Sequence, residues 1–388
     1  MPTKKLYDLD AYETEFSAEV LSCTEENDGY AVILDRTLFF PEEGGQACDT
    51  GRLGGIPVLF VRLEGDGTIT HLLPSPLPVG ETVKGEIDFA PRFRKMQHHT
   101  GEHILSGLAH RLYGAENVGF HLGDTDVTMD LDVSLDRYAL DRIEDLANEA
   151  IYKNLPVSAR YLTKDEIKTA VYRSKLDLTE NVRVVTVQDY DDCACCAPHV
   201  ARTGEIGVIK ILDFMRYKGG VRLHIACGAD ALRDYRTRYA QAVAISNLLS
   251  AKQEEIVEAV EQLQSTLVEE KRAQNSLRRN ILEEELKRLP DAPVAGNLAV
   301  FSPLLEARQL RELVNAGVTR CSGIFAAFAG SDESGYTYVM GSKTVDLRSS
   351  SKEINTALSG RGGGSEEMIQ GSAGASEKEI RAYLEGEA

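Results

Sequence analysis

The chain has 388 residues, with 43 Lys and Arg against 61 Asp and Glu and a formal net charge of −18. That length predicts two or three domains, and that charge excludes a wholly basic nucleic-acid surface while leaving room for local basic patches. No run of about eighteen apolar residues occurs, so no membrane span is expected. The N-terminus, MPTKKLYDLDAYETEF, has two lysines with no apolar core behind them and does not read as a secretory signal. Seven cysteines, three of them at 193, 195 and 196, point to free thiols and metal ligation in a cytoplasmic chain.

Residues 1–90 read as a small β-barrel or sandwich. Apolar or alternating runs at 19–23, 30–40, 58–63, 68–73 and 82–89 are separated by Gly, Asp, Asn and Pro. Within this part, Thr37 to Gly51 reads TLFFPEEGGQACDTG. Gly44 and Gly45 suit either a hairpin turn or close backbone approach to a ligand.

Residues 91–235 read as α+β. Arg92, Arg94 and Lys95 open a helix and fit either a solvated helix start or a phosphate contact. The helix continues through MQHHTGEHIL, 96–105, with apolar positions at Met96, Ile104, Leu105, Leu108, Ala109 and Leu112. His99 and His103 stand four apart, on one face. Strands follow at 119–121 and 127–133, then a helix over 137–155 capped by Ser134 or Asp136. Further strands are predicted at 157–162, 182–187, 207–212 and 220–227. Between them DCACCAPHV, 192–200, reads as a loop with Cys195 and His199 again four apart. Three imidazoles and one thiolate form a donor set that favours zinc over hard oxygen-seeking cations. His71, His98, His110, His121 and His224 read as packed or exposed side chains, and HTGEH is not the H-E-x-x-H of metalloproteases.

Residues 236–289 form one long helical pattern. One heptad seam carries Leu249, Ile256, Leu263, Glu270 and Leu277, the other Gln253, Val260, Leu267, Gln274 and Ile281. This fits a coiled coil that forms a homodimer, or a connecting helix packed on its own chain. Residues 290–388 read as a small α/β domain: strands at 298–301, 323–329, 336–341 and 344–347, helices at 302–316, 351–358 and 376–384. Between the last two helices, SGRGGGSEEMIQGSAG (359–374) reads as a loop, either holding phosphate through its N–H groups or linking flexibly.

HTGEH and CCAPHV resemble the paired zinc motifs, His-x3-His and Cys-x3-His, of the alanyl-tRNA synthetase editing domain and its free-standing AlaX relatives. TLFFPEEGGQ is similar to that family's T-x-F-Y-P-x-G-G-G-Q, with Thr37 and Gln46 in register and Glu43 where the family has its first glycine. The last hundred residues resemble the DHH-associated domain that follows a coiled-coil helix in these proteins.

The resemblance implies an α+β chain with four parts: a glycine-motif β-barrel (1–90), a zinc-binding editing domain (91–235), a long coiled-coil-like helix (236–289) and a DHH-associated-type domain (290–388). It places Zn2+ on His99, His103, Cys195 and His199. It assigns catalysis to Gln46, Thr37 and Cys195, with Gln46 positioning water or the carbonyl and Thr37 hydrogen-bonding a serine hydroxyl. The implied partner is tRNA(Ala) carrying serine or glycine. A site that hydrogen-bonds the serine hydroxyl rejects alanine because alanine leaves buried polar groups unpaired. No ATP-binding motif is legible at the front, so a free-standing, cytoplasmic trans-editing hydrolase is expected. The alternative is a non-catalytic, zinc-stabilised tRNA-binding module. A DHH-type phosphoesterase is disfavoured, because no Asp-His-His motif occurs.

Overall fold

A computed structural model of the chain describes residues 2–174 and 179–386. It is a mixed α+β structure that divides into two compact units, Met1–Gln241 and Ala242–Ala388.

The first unit begins with a seven-stranded antiparallel sheet. Its spatial order is Ile56–Val58, Gly51–Leu53, Thr82–Ile87, Glu15–Glu26, Gly29–Leu34, Ile69–Leu73 and Phe60–Leu63. The two outermost strands are consecutive in sequence, and Leu59 N between them donates to Leu72 O at 2.8 Å. One bent segment therefore serves both ends, and the sheet is a nearly closed barrel. Alternation builds it: every second residue of Glu15–Val20 and of Thr82–Ile87 is buried. Phe16, Val20, Val32, Leu34, Leu53, Val61, Ile69 and Leu73 fill the interior with Leu38, Phe39 and Phe40. The short strand Gly51–Leu53 was not expected.

Helix α1, Phe89–Tyr113, follows. It is buried along most of its length, polar residues included, and Gly114 ends it in the left-handed region (φ 63°). Phe89 belongs to this helix rather than to the preceding strand. Helix α2, Arg137–Lys153, starts at Asp136, whose carboxylate accepts from Ala139 N at 2.9 Å. It packs Leu140, Ile143, Ala147 and Ile151 into a core shared with α1 and a four-stranded antiparallel sheet. That sheet runs Asn117–Leu122, Val127–Leu131, Gly220–Cys227, Ile209–Tyr217. A three-stranded sheet, Val157–Tyr161, Arg183–Val187 and Asp191–Ala194, completes the unit with the short helix α3, Lys164–Thr169. The cysteine motif thus starts on a strand and becomes a loop only at Cys195.

The cationic start of α1 is neither solvated nor free for phosphate. Arg92 is fully buried on Asp49, with Nε 3.0 Å from Oδ1, and its Nη2 donates to Leu38 O at 2.7 Å. Asp49 also accepts from Phe40 N at 2.7 Å. Lys95 donates to Ala47 O at 3.1 Å and to Cys48 O. Arg94 pairs with Asp230 at 2.6 Å.

The long helix is two helices. Helix α4, Ala229–Leu249, ends before Ser250, which has φ 51°, and α5 runs Ile256–Arg288. A single heptad frame cannot pass through that break. Along α5, Leu263, Leu267 and Leu277 are 56%, 53% and 62% exposed, while Leu282 is buried. Among the described residues, α5 forms no coiled coil with another helix of this chain.

The second unit is built on a five-stranded sheet ordered Leu298–Phe301, Ile324–Ser331, Gly335–Ser342, Met368–Ala373, Arg361–Gly364. The first pair is parallel and the rest antiparallel. Leu282 of α5 packs with Leu310, Leu313 and Val314 of α6, Ala307–Gly317, in one apolar cluster. Ile354 of α7, Leu347–Ala357, and Ile380 of α8, Glu377–Glu385, belong to another. Residues 302–306 precede α6 rather than joining it, and Leu347 opens α7 instead of closing a strand. The glycine-rich segment 359–374 is a β-hairpin, not a loop. A Cβ on Gly362 would lie 2.3 Å from Tyr338 Oη and 2.5 Å from Gln370 O, so this glycine lets the edge strand sit close against the sheet.

Two outcomes follow. Asp49→Ala strands a guanidinium in the interior and should cost about 3–5 kcal/mol, whereas Arg92→Met combined with Asp49→Leu should cost less. Urea unfolding followed by far-UV circular dichroism separates the two, and equal losses would contradict the ion-pair account. The second concerns His71, fully buried in the barrel, where Nδ1–H donates to Val32 O at 3.2 Å and Nε2 accepts from Thr37 Oγ1 at 2.9 Å. Burial pushes its imidazole down from 6.5 to about 4. The unfolded chain takes up the proton first, so this contribution is complete above pH 6.5 and is lost as pH falls toward 4, on the order of 3 kcal/mol in all. His71→Gln should flatten the stability curve in that window, and an unchanged slope would refute it.

Candidate metal centre and its cleft

A two-residue turn sets the geometry. Glu43 N donates to Gln46 O at 3.2 Å and Gln46 N to Glu43 O at 3.0 Å. Gly44 and Gly45 between them have φ of 64° and 83°, the mirror-image turn that glycine allows. A Cβ on Gly45 would also meet Phe120 O at 2.3 Å. Glu43 is not among the positive-φ residues, so a glutamate in place of the first glycine strains nothing.

Gln46, fully buried, faces α1, where its Oε1 accepts from His99 Nδ1–H at 2.9 Å. That bond leaves His99 Nε2 free, and it lies 3.5 Å from Cys195 Sγ. His199 Nε2 lies 3.3 Å from the same sulfur. The donor atoms of His99, His103, Cys195 and His199 all fall within 4.8 Å of one another. A tetrahedral zinc with ordinary Zn–N and Zn–S bonds has an N-to-S edge of about 3.6 Å, so the donor set fits such an ion.

Each imidazole has a contact behind it. His199 Nδ1–H donates to Thr100 Oγ1 at 3.0 Å, and Thr100 donates to Met96 O at 2.8 Å. His103 Nδ1 lies 3.1 Å from Asp191 Oδ2, at an angle short of a hydrogen bond. Asp191 is gripped by Arg173 through bonds of 2.7 and 2.8 Å. Contacts of this kind fix ring tautomer and orientation. Burial pushes the Cys195 thiol up, but the His99 and His199 imidazoles more than reverse this and hold it well below the usual range. Burial pushes His199 down to about 3, whereas at His103 the same burial is outweighed by Asp191 and the Cys195 sulfur, which hold it well above its usual value. Thiolate and neutral imidazole are the forms that bind metal, so a metal at His103 would displace a proton. A second grouping, His103, Asp191 and Cys193, shares His103 with the first, and its Asp191 is already committed to Arg173.

A cleft of about 790 Å³ opens on this cluster. His99, His103 and Cys195 line it, together with Lys5, Glu43 and Phe120. His199 and Gln46 lie behind that wall. Thr37 is fully buried and does not line it; its hydroxyl donates to His71 Nε2 and accepts from Phe39 N at 3.1 Å. The structure therefore brings Gln46 to the four candidate ligands and holds Thr37 inside the barrel.

A family model described as "Threonyl and Alanyl tRNA synthetase second additional domain" matches residues 182–223, which include Cys195 and His199. The chain is 28% identical over 393 residues to alanyl-tRNA editing protein AlaX-L of Pyrococcus horikoshii, covering 97% of this chain and 96% of that one. It is 27% identical over 382 residues to alanyl-tRNA editing protein Aarsd1 of Rattus norvegicus, covering 94% and 92%. The chain belongs to the alanyl-tRNA editing family. An alanine–tRNA ligase of Halobacterium salinarum is 33% identical over 361 residues, which are 87% of this chain and 38% of the ligase. The solved C-Ala domain of the Aquifex aeolicus alanyl-tRNA synthetase matches a quarter of this chain at 19% identity and a TM-score of 0.21, too low to carry an argument.

Sequence reasoning missed Thr100 and Asp191. Both adjoin the motifs, one directly after His99 and the other directly before DCACC, but adjacency alone does not say which imidazole each holds. Gln46→Ala should weaken metal binding about ten- to a hundredfold in competition with a chelator, because it frees the His99 ring. A variant that holds metal as tightly as the parent would show that Gln46 does not orient this imidazole.

Proposed function

We propose that the chain is a trans-editing hydrolase that cleaves the ester joining serine, and also glycine, to alanine tRNA, at a zinc-dependent site. The observation that carries this reading is the half-open centre: three imidazoles and a thiolate converge, and three of the four side chains face a cleft large enough for an aminoacyl nucleoside. The names of the full-length relatives support the substrate class. His99, His103, Cys195 and His199 would hold the ion, which when bound supplies Lewis-acid polarisation at the ester.

The chain's own residues do the rest. Gln46 holds His99 with its amide oxygen, and its Nε2, buried without a partner behind the cleft wall, is a donor for water there. An amide is not a base at neutral pH, so its part is positioning. Thr37 enters through the barrel: with its hydroxyl committed to His71 and Phe39, it sets the start of the loop that ends at Gln46. Cys195 serves as a ligand. Editing of this kind answers the difficulty that an alanine pocket has in excluding glycine and serine by size alone.

Deacylation of Ser-tRNA(Ala) and Ala-tRNA(Ala) by the intact protein and by Cys195→Ala tests the reading. Serine should be released rapidly and alanine spared, with activity lost in Cys195→Ala and on metal removal. Bound tRNA and bound zinc without ester cleavage would leave a structural RNA-binding module instead.

A further inference from the structure

Among the described residues, five buried side-chain nitrogen or oxygen atoms have no hydrogen-bond partner: Tyr7 Oη, Asp8 Oδ1, Glu43 Oε2, Gln46 Nε2 and His103 Nδ1. They share one neighbourhood. His103 and Gln46 belong to the candidate centre, Glu43 lines its cleft, and Tyr7 feels the charges of Asp8 and Glu43. Folded interiors rarely leave such atoms unpaired, and a group of them beside a cavity marks where something else completes the bonding.

Glu43 has the most pointed position of the five. It pairs with Gln46 across the two-glycine turn. Residues opposite one another in such a pair place their side chains on the same face, with Cβ atoms roughly 5 Å apart. Gln46 uses that face to hold His99, and Glu43 lines the cleft that His99, His103 and Cys195 also line. The cationic neighbours are largely committed elsewhere: Arg183 donates to Cys195 O and Ala197 O, and Arg173 to Asp191. Lys5 shares the cleft wall, but Glu43 makes no ion pair among the described residues. Its Oε2 is thus an acceptor without a hydrogen-bond partner at the cleft, with the Cys196 thiol beside the same carboxylate.

A serine or glycine ester carries one cation next to its carbonyl, the α-ammonium group. We infer that Glu43 accepts from that ammonium and makes the site selective for esters of free amino acids. The inference rests on the editing reading. It concerns a residue that replaces a glycine of the family motif, so the acceptor belongs to this chain rather than to the motif.

The test is binding to the zinc-loaded protein, by calorimetry, of two non-hydrolysable amides of 3′-amino-3′-deoxyadenosine. One carries L-serine, and the other carries the acid in which a hydroxyl replaces the α-amino group. The seryl compound should bind about tenfold or more tightly, as expected for a charge-assisted hydrogen bond. Glu43→Gln, nearly isosteric, should abolish that preference and leave the hydroxy compound and the metal content unchanged, while Glu43→Asp should keep part of it. A preference that survives in Glu43→Gln, or its absence in the parent, overturns the inference. Equal weakening of both compounds also overturns it and assigns Glu43 a structural role beside Lys5. Discrimination without Ser-tRNA(Ala) cleavage would fail the editing reading alone, and cleavage without discrimination would fail Glu43 alone.

Discussion

The buried Arg92–Asp49 pair is the constraint on which the site depends. Asp49 lies three residues beyond Gln46, and Arg92 lies two helical turns before His99. Joining them fixes the glycine-motif loop against α1, and Lys95 repeats the clamp one turn on through Ala47 and Cys48. Buried ion pairs are weak evidence for stability, because desolvation offsets much of their attraction. Their use here is register. A slide of one residue between loop and helix would carry Gln46 away from His99 Nδ1 and turn the imidazole out of the cluster.

The contacts behind the imidazoles come from three different places. Gln46 is supplied by the barrel, Thr100 by α1 and Asp191 by the three-stranded sheet. The candidate centre therefore joins the barrel to the α+β layers of the first unit. A metal held here would favour the state in which α1 and the loop after the three-stranded sheet are assembled, because its donors come from those two, and Gln46 ties the barrel to them through His99.

Much of this was legible in local spacing. His99 with His103, and Cys195 with His199, are intervals fixed by one helical turn or one short loop, so sequence alone brings each half together. The alternating run around Val83 announced its barrel strand in the same way, whereas the strand Glu15–Glu26 starts four residues before the run at 19–23 that is legible in the sequence. What was not legible depends on partners distant in the chain. Arg92 and Lys95 read as surface cations until Asp49 and the carbonyls of residues 47 and 48 were seen to surround them. Thr37 read as a ligand contact because its motif does, but the buried His71 across the barrel claims its hydroxyl. The heptad count passed through Ser250 because a helix break there has no proline or glycine to announce it. The tract 359–374 read as a loop, phosphate-holding or flexible, because glycine allows one, while here it allows close packing of the edge strand over Tyr338.

The glycine turn shows how a rigid holder leaves room for variation. The positive φ angles fall on Gly44 and Gly45, and Gly45 is further confined by Phe120 O. Those two positions cannot take a side chain without moving Gln46. Glu43 carries no such demand, since its backbone is ordinary and its side chain lines the cleft. The turn thus separates two positions: Gln46 orients an imidazole and is fixed by the fold, and Glu43 lines the cleft beside Cys196. A charge can stand at that point without disturbing the donor geometry beside it, because the positive φ angles and the close approach to Phe120 O fall on Gly44 and Gly45 and not on Glu43.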